Sequence, residues 1–456
     1  MAAVIPVVTP EEMAAIDRAA PEPVEVLIDR AGTAVAREAL EMLGGAYGRR
    51  VVVVAGKGNN GADGRAAAAR LRRRGVQVTE IDAADPPATL PDADLLIDAA
   101  YGTGFRGEYR PLQPPPGTPV LAVDIPSGVD GLTGRAAGRP LAADRTVTFA
   151  ALKPGLLLAD GPELAGEVTV ADIGLDTSSA TTHVVEPADV GRWLPPRPRE
   201  SHKWNAAVWV VAGSPGMTGA AHLTTRAAQR GGAGYVRLST PGVDDDPGRP
   251  TEAVGVPLPE VGWADTVLEE AERFRCLAAG PGLGTRPETA AEIRRLLHDV
   301  PVAAVVDGDA LTALGRIAAE VLSGRDHATV LTPHDGELAR LGADADDPDR
   351  IGVTRALAER LGAIVLRKGS TTIVAAPDGA TLLSTSGDAR LATAGTGDVL
   401  TGLLAALVAQ GVPALEAAAA AAHLHGRAGA LALPRGLVAG DVVDRLPAAL
   451  AELPED

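Results

Sequence analysis

The stretch "VVVVAGKGNNGADGRAAAARLRRRG", residues 51–75, limits the fold more than any other part of the chain. Four consecutive valines describe a strand buried on both faces, because a strand with one wet face would alternate apolar and polar residues. The run stops at Gly56, and Gly56, Gly58 and Gly61 complete a G-x-G-x-x-G turn ahead of an alanine-rich helix. Glu80 or Asp82 follows about 20 residues later, the spacing of a dinucleotide fingerprint. Such a turn lets the backbone approach an anion while free N–H groups at the helix start face it, although it also serves as a plain strand-to-helix turn. Asn59, Asn60 and Asp63 add side-chain oxygens. A phosphate gains nothing from the Asp63 charge; ribose hydroxyls, a carboxamide or a weakly hydrated cation would suit these groups. A plain alternative is an Asn tolerating positive φ and an Asp capping the helix.

Further apolar runs at 76–81, 94–100, 120–126, 146–150 and 166–174 extend the pattern and call for a largely parallel sheet between helix layers. "TPEE" at 9–12 has the Thr, Pro and Glu of a helix start. Between about 185 and 204 the chain is rich in Pro and Arg and has little periodicity, which marks a linker. Beyond it the β then α rhythm resumes at 207–213, 234–240, 275–284, 301–311, 328–337 and 363–379. Two fused α/β domains are expected, spanning 1–190 and 198–456.

The formal net charge of -17 argues against non-specific attraction to nucleic acid or an anionic membrane, so any phosphate must be met by glycine loops and helix N-termini. One cysteine, Cys276, excludes an intrachain disulfide and a thiolate metal cluster, and reads as a buried strand thiol. No basic n-region precedes an apolar run at the start, and no segment nears the ~20 apolar residues of a membrane span. A cytoplasmic protein is expected. His423 and His425 lie two apart in a helical segment, where side chains diverge, and read as packed histidines rather than metal ligands.

Two more buried strands of the first half end in polar chemistry: Asp98 precedes a second glycine turn, and Asp124 is followed by Pro126, Ser127 and Gly128. In a parallel sheet the carboxyl ends of adjacent strands converge on one crevice, so Asn60, Asp98, Asp124 and Ser127 are expected to meet there. A buried aspartate demands hydrogen bonds or a cation. "GKGNNGADG", "IDAAYGTG", "VDIPSGVDGLTG" and "TVTFAALKPGLL" together resemble the motifs of the NAD(P)H-hydrate epimerase family over about residues 1–185. The resemblance implies a Rossmann-like three-layer fold and a K+ ion held by Asn60, Asp98 and Ser127. It further implies that the hydrated nicotinamide nucleotide is bound by Asn59, Asn60, Gly61, Ala62 and Asp63, by Gly102, Thr103, Gly104, Phe105, Arg106, Gly107 and Glu108, and by Asp124, the acid/base group. Ala62 stands where the family usually has glycine.

In the second half, "ATAGTGDVLTGLLAALVAQG" at 392–411 is the sharpest signal. Gly395, Thr396 and Gly397 turn tightly into an apolar helix whose first turn holds Asp398; unpaired N–H groups there stabilise developing negative charge, and the aspartate can accept a proton. "RKGSTT" follows a strand, "GPGLG" at 280–284 is another strand-end loop, and "TPHDGE" supplies His334 and Glu337. With no G-x-x-x-x-G-K-[ST], a Walker-type NTPase is unsupported. Taken with "SHKW", "GSPGMTGAAHLTTRAAQRGGAGYV" and "VVDGDAL", the set resembles the ribokinase-like ADP-dependent NAD(P)H-hydrate dehydratases over about 198–456. The resemblance implies that Ala220, Gly282, His334 and Asp398 bind the hydrated nucleotide, with Asp398 as base. Lys368, Gly369, Ser370, Thr371, Thr372 and Gly397 would contact the adenine nucleotide, which enters with Mg2+. Trp204 and Ala207 depart from glycines that the family tends to carry.

The nucleotide is then substrate, not hydride courier: hydrated NADH or NADPH, with ADP as second substrate. A homo-oligomer is expected, with no nucleic-acid or membrane partner. Two alternatives stay open on the residues alone. One is an NAD-dependent oxidoreductase, whose turnover would need no ADP; the other is a small-molecule kinase carrying a non-catalytic nucleotide-binding domain.

Overall fold

A computed structural model describes residues 4–454 and divides the chain into two compact units, Ile5–Thr181 and Thr182 onward. The first unit contains β1 (Ile5–Val7), β2 (Arg50–Ala55), β3 (Gln77–Asp82), β4 (Leu95–Ala99), β5 (Val120–Val123), β6 (Arg145–Phe149) and β7 (Glu167–Ala171). Its sheet runs β3-β2-β4-β5-β6-β7, and every pairing in it is parallel. Val51, Val52 and Val53 are buried because helices Val24–Leu43 and Asn59–Arg73 pack on one face while Leu90, Leu141 and Ala143 cover the other. Burying each such side chain stabilises the fold by roughly 1.5–3 kcal/mol relative to exposure.

The chain leaves β2 towards β3 on one side and then crosses to β4 on the other, so the crevice between β2 and β4 is the topological switch point, where open α/β sheets bind ligands. Helix Pro10–Ala19 starts with a full capping box: Glu12 N donates to Thr9 Oγ1 at 3.1 Å, and Thr9 N to Glu12 Oε2 at 2.7 Å.

The second unit contains β8 (Thr182–Val184), β9 (Ala207–Val211), β10 (Tyr235–Ser239), β11 (Val254–Gly255), β12 (Cys276–Ala279), β13 (Ala303–Val306), β14 (Thr329–Leu331), β15 (Ile364–Arg367), β16 (Thr372–Ala375) and β17 (Thr381–Ser384). They are ordered β8-β17-β16-β15-β14-β13-β12-β9-β10-β11. From β11 to β15 the pairing is parallel, whereas β15, β16 and β17 are antiparallel neighbours. Helices Gly219–Arg230, Thr396–Ala409, Ala414–Leu431 and Ala439–Ala451 cover one face; Trp263–Glu270, Pro287–Asp299 and Arg350–Leu361 cover the other. The switch point lies between β9 and β12.

The linker expected at 185–204 is displaced in the structure. The boundary precedes β8, because Thr182–Val184 pairs with β17, and Val190 of helix Pro187–Trp193 is fully buried in the second core. Cys276 is buried in β12, and burial pushes its thiol up to about 12. His423 and His425 are packed within helix Ala414–Leu431, and burial lowers both. No described helix is long and apolar enough to cross a membrane.

Candidate active sites

At the first switch point the glycines of the 56–61 turn have separate duties. A Cβ on Gly56 would stand 1.9 Å from the Ala100 carbonyl oxygen, and one on Gly61 1.9 Å from that of Gly56, so both are required by close backbone packing. Gly58, the N-cap of helix Asn59–Arg73, has open space around it. The helix start therefore borders a cavity of about 610 Å³.

Asn59, Asn60 and Asp63 line that cavity, as do Gly102, Thr103, Gly104, Phe105, Arg106 and Asp124. Gly61, Ala62, Gly107 and Glu108 do not: Gly61 is turned into the β2–β4 packing, and Glu108 is exposed and paired with Arg110. Tyr101, Phe105 and Tyr109 stack on one another, with Tyr101 and Phe105 centroids 4.3 Å apart, and so fix the second glycine loop.

Asp124 leaves the end of β5 with φ at 68°, a left-handed backbone that a non-glycine residue adopts only when its surroundings impose it. The strain comes with a tightly built carboxylate. Lys153 Nζ, which is fully buried, donates to Asp124 Oδ1 at 2.5 Å, to Thr148 Oγ1 at 2.8 Å and to the Phe149 carbonyl at 3.0 Å. Thr148 Oγ1 also donates to Asp124 Oδ1, at 3.1 Å. One carboxylate oxygen is thus occupied, while Oδ2 points towards Gly102. Lys153, inside the quoted "ALKPG" motif but given no role from sequence, becomes legible only because the fold seats it under Asp124.

Beneath the loops, the buried Asp98 accepts from Ser127 Oγ at 2.7 Å and from Ser127 N at 3.0 Å. Ser127 Oγ in turn accepts from Tyr101 N at 2.9 Å. Burial pushes the Asp98 carboxyl up, against the hydrogen bonds from Ser127 and Ala100. Asn60 lies over Gly102, and both its amide oxygen and nitrogen are buried without a hydrogen-bond partner. Orphaned buried amide atoms are costly, so this corner is built for something further to bind.

In the second unit the strand ends converge in the same way. Gly213, after β9, donates to the Pro281 carbonyl at 2.7 Å, and Ser214 Oγ to the Gly282 carbonyl at 2.9 Å. Gly282 has φ at 67°, and a Cβ there would lie 3.3 Å from that of Ala220, so these two residues share one wall of the switch point. After β13 comes Asp307, after β14 His334, and after β15 Lys368.

Lys368 Nζ donates to Asp307 Oδ1 at 2.8 Å and lies 3.5 Å from Glu337 Oε2. Although burial opposes it, Asp307 and Glu337 hold this ammonium above the usual lysine range. Thr401 Oγ1, on the helix that begins at Thr396, donates to Asp307 Oδ2 at 2.8 Å. Added to Gly397, a Cβ would stand 3.5 Å from Lys368 Nζ, which places the helix N-terminus and the lysine on one site. Burial, followed by the charge of Asp307, raises the Asp398 carboxyl to about 7, against the pull of Lys368.

His334 is the N-cap of helix Asp335–Arg340: its Nδ1 accepts from Gly336 N at 3.0 Å and Glu337 N at 3.3 Å. That capping leaves Nε2 to carry the proton on a half-exposed ring. Gly369, Ser370 and Thr371 form the turn from β15 into β16 beside it, and Thr372 opens β16. Trp204 stacks on Tyr235 at 4.5 Å and Phe274 at 5.6 Å, and Ala207 is buried in β9, so both are packing residues. Asp307, Glu337 and Thr401 complete this cluster. Of them only Glu337 was singled out by sequence, because "VVDGDAL" alone does not say which carboxylate faces the lysine.

The family model described as NAD(P)H-hydrate dehydratase matches residues 208–449, and the one described as YjeF-related protein N-terminus matches 24–87 and 79–155. The bifunctional NAD(P)H-hydrate repair enzyme Nnr of Moorella thermoacetica is 37% identical, covering 98% of this chain and 97% of its own. The chain belongs to the family of bifunctional NAD(P)H-hydrate repair enzymes. A second such repair enzyme, from Mycobacterium tuberculosis, is 39% identical over 85% of this chain and 84% of its own. Among solved structures, an ADP/ATP-dependent NAD(P)H-hydrate dehydratase from Bacillus subtilis, co-crystallised with ATP/Mg2+, is similar with a TM-score of 0.50 and 27% identity, covering 59% of this chain and 98% of that one. A ribokinase-like superfamily protein from Enterococcus faecalis has the same fold, at a TM-score of 0.54 over 62% of this chain and 99% of that one.

Proposed function

We propose that this repair-family chain restores hydrated NADH and NADPH in two steps. The first activity, interconversion of the R and S epimers at C6 of the reduced ring, belongs to the first unit, Ile5–Thr181. The second, dehydration of the S epimer at the expense of ADP, belongs to the unit from Thr182 onward. What carries the reading is that each unit sets one carboxylate, Asp124 or Asp398, at the carboxyl end of its sheet with a lysine nearby, Lys153 fully buried and Lys368 partly so.

In the first unit the 56–63 and 102–106 loops hold the nucleotide, and Asp124, its Oδ1 fixed by Lys153, presents Oδ2 to exchange a proton with the oxygen on C6. Asn60, Asp98 and Ser127 would hold K+. A monovalent cation fits the unpartnered Asn60 oxygen above a buried carboxylate, and it would supply a fixed positive charge that anchors the ligand. Replacing K+ with a large organic cation is then expected to raise the epimerase KM severalfold and leave dehydration of the S epimer unmoved, as measured by separating the epimers chromatographically.

In the second unit Asp398 takes the proton of the C6 hydroxyl, whose oxygen attacks the β-phosphorus of ADP, presented with Mg2+. AMP leaves. Lys368 and the N–H groups at Gly397 face the transferred phosphoryl group, whose transfer depends mainly on positioning and charge neutralisation. The ring nitrogen then expels phosphate from C6, and loss of a C5 proton restores NADH or NADPH. Ala220, Gly282 and His334 border the nicotinamide side; Gly369 to Thr372 border the adenine nucleotide.

The test is an R,S mixture of hydrated NADH with ADP and Mg2+. Complete recovery of NADH is expected. Recovery that stalls at half and continues only at the spontaneous rate of epimer exchange would remove the first activity, and recovery without ADP would remove the second.

A further inference from the structure

The cavity of the first unit holds more ionisable groups than a single acid/base residue requires. Asp17, Asp63, Asp124 and Lys153 line it, with Glu22 and Arg106 also on its walls. Asp63 is 7% exposed and comes from the first turn of helix Asn59–Arg73. No hydrogen-bond donor among the described residues reaches its carboxyl. A buried carboxyl without donors cannot stay charged cheaply, so a role in ligand contact alone does not account for it.

Its position relative to Asp124 follows from the sheet. Asp63 rises from the helix that follows β2, Asp124 from the end of β5, and β4 lies between the two strands. The strands that lead to them, β2 and β5, lie two spacings, about 10 Å, apart, so the two carboxyls enter the one cavity from different strand ends. Gly102 sits between Asp124 and Asn60, the latter in the same first helical turn as Asp63: a Cβ there would lie 3.4 Å from Asn60 and 3.6 Å from Asp124 Oδ2.

We propose that Asp63 is a second proton-exchanging residue of the epimerase, acting on the opposite side of the substrate's C6 carbon from Asp124. The proposal rests on the epimerase reading above. Asp63, protonated, gives its proton to the C6 hydroxyl; the C6–O bond breaks, water leaves, and the lone pair of the ring nitrogen forms the N1=C6 iminium. A water then adds to C6 from the other face, forming a new C6–O bond, and passes its proton to ionised Asp124. The reverse epimerisation uses the two carboxyls in exchanged roles, and solvent resets their protonation between turnovers. No redox change is involved.

Burial, then the charges of Asp124 and Asp17, raise Asp63 to about 8 against the pull of Lys153, so it is still largely protonated at neutral pH. Asp17 is itself raised by burial. Because the acid must carry its proton, kcat/KM for the R to S direction should fall as pH rises through about 8.

The experiment uses the full chain without ADP, the R epimer of hydrated NADPH, and chromatographic separation of the epimers. Asp63→Asn is expected to lower kcat by about 100-fold with little change in KM and to abolish the basic fall in kcat/KM. In water enriched in 18O, the wild type should place the label at C6 of the S product. A kcat close to wild type with a raised KM in Asp63→Asn, or product that retains its original oxygen, overturns the proposal while leaving the epimerase reading intact. A wild-type chain no faster than spontaneous exchange removes that reading itself. If Asp63→Asn lowers the melting temperature, Asp63→Glu decides the matter: recovered activity supports proton exchange, and activity as low as that of the Asn variant overturns it.

Discussion

Asp398→Asn is expected to abolish ADP-dependent recovery of NADH from the S epimer while leaving R/S exchange at the wild-type rate. Removing a positioned general base costs about 10²–10⁴-fold in rate, and asparagine matches aspartate in shape, so the N-terminus of helix Thr396–Ala409 should survive the change. The same carboxylate sets the pH profile. Asp398 must be ionised to take the hydroxyl proton, and burial with the Asp307 charge raises it to about 7. For the wild type, kcat/KM of dehydration, which reports ionisation of the free enzyme, should therefore rise with pH and level off above about 7. Undiminished NADH formation by Asp398→Asn, monitored by absorbance, would remove this residue as the base.

The parts of both sites that sequence made visible share one cause. Strands buried on both faces are continuous apolar runs, and such a run must stop where the chain reaches the ligand crevice. Asp98 is the penultimate residue of such a run, and Asn60, Asp124, Asp307, His334 and Lys368 each stand past a stop, within the strand-end loop or the helix start that follows it. What stayed hidden depends on contacts distant in the chain. Lys153 reads as one lysine in "ALKPG" until β6 and the turn after it place its ammonium against Asp124. Asp17 comes from the first helix, whose start is legible but whose destination is not.

The antiparallel edge is a comparable case. Residues 363–379 look like one apolar stretch, but Lys368 to Thr371 turn the chain back, so that β15 pairs with β16 and "PDG" at 377–379 leads on into β17. That turn is also where the adenine-nucleotide contacts are proposed, so the break in the strand and the candidate site are one feature. β8, three residues long, has too little pattern to be read and is decided by its pairing with β17.

Asp124→Asn should bring R/S exchange down to its spontaneous rate, again a loss of about 10²–10⁴-fold, with ADP-dependent dehydration of the S epimer retained. Supplied with an R,S mixture and ADP, this variant should recover half of the NADH quickly and the remainder only as the R form converts unaided. Asp124 is also half of a buried ion pair, and leaving the Lys153 ammonium without its counter-charge costs about 3–5 kcal/mol. Stability therefore has to be separated from chemistry. Lys153→Met combined with Asp124→Asn removes both charges, and that double variant should melt closer to wild type than Asp124→Asn alone while remaining inactive as an epimerase. If the double variant instead recovers epimerase activity along with its stability, then the carboxylate serves only to balance the charge of the buried lysine, and the proton exchange must be assigned to another group in the cavity.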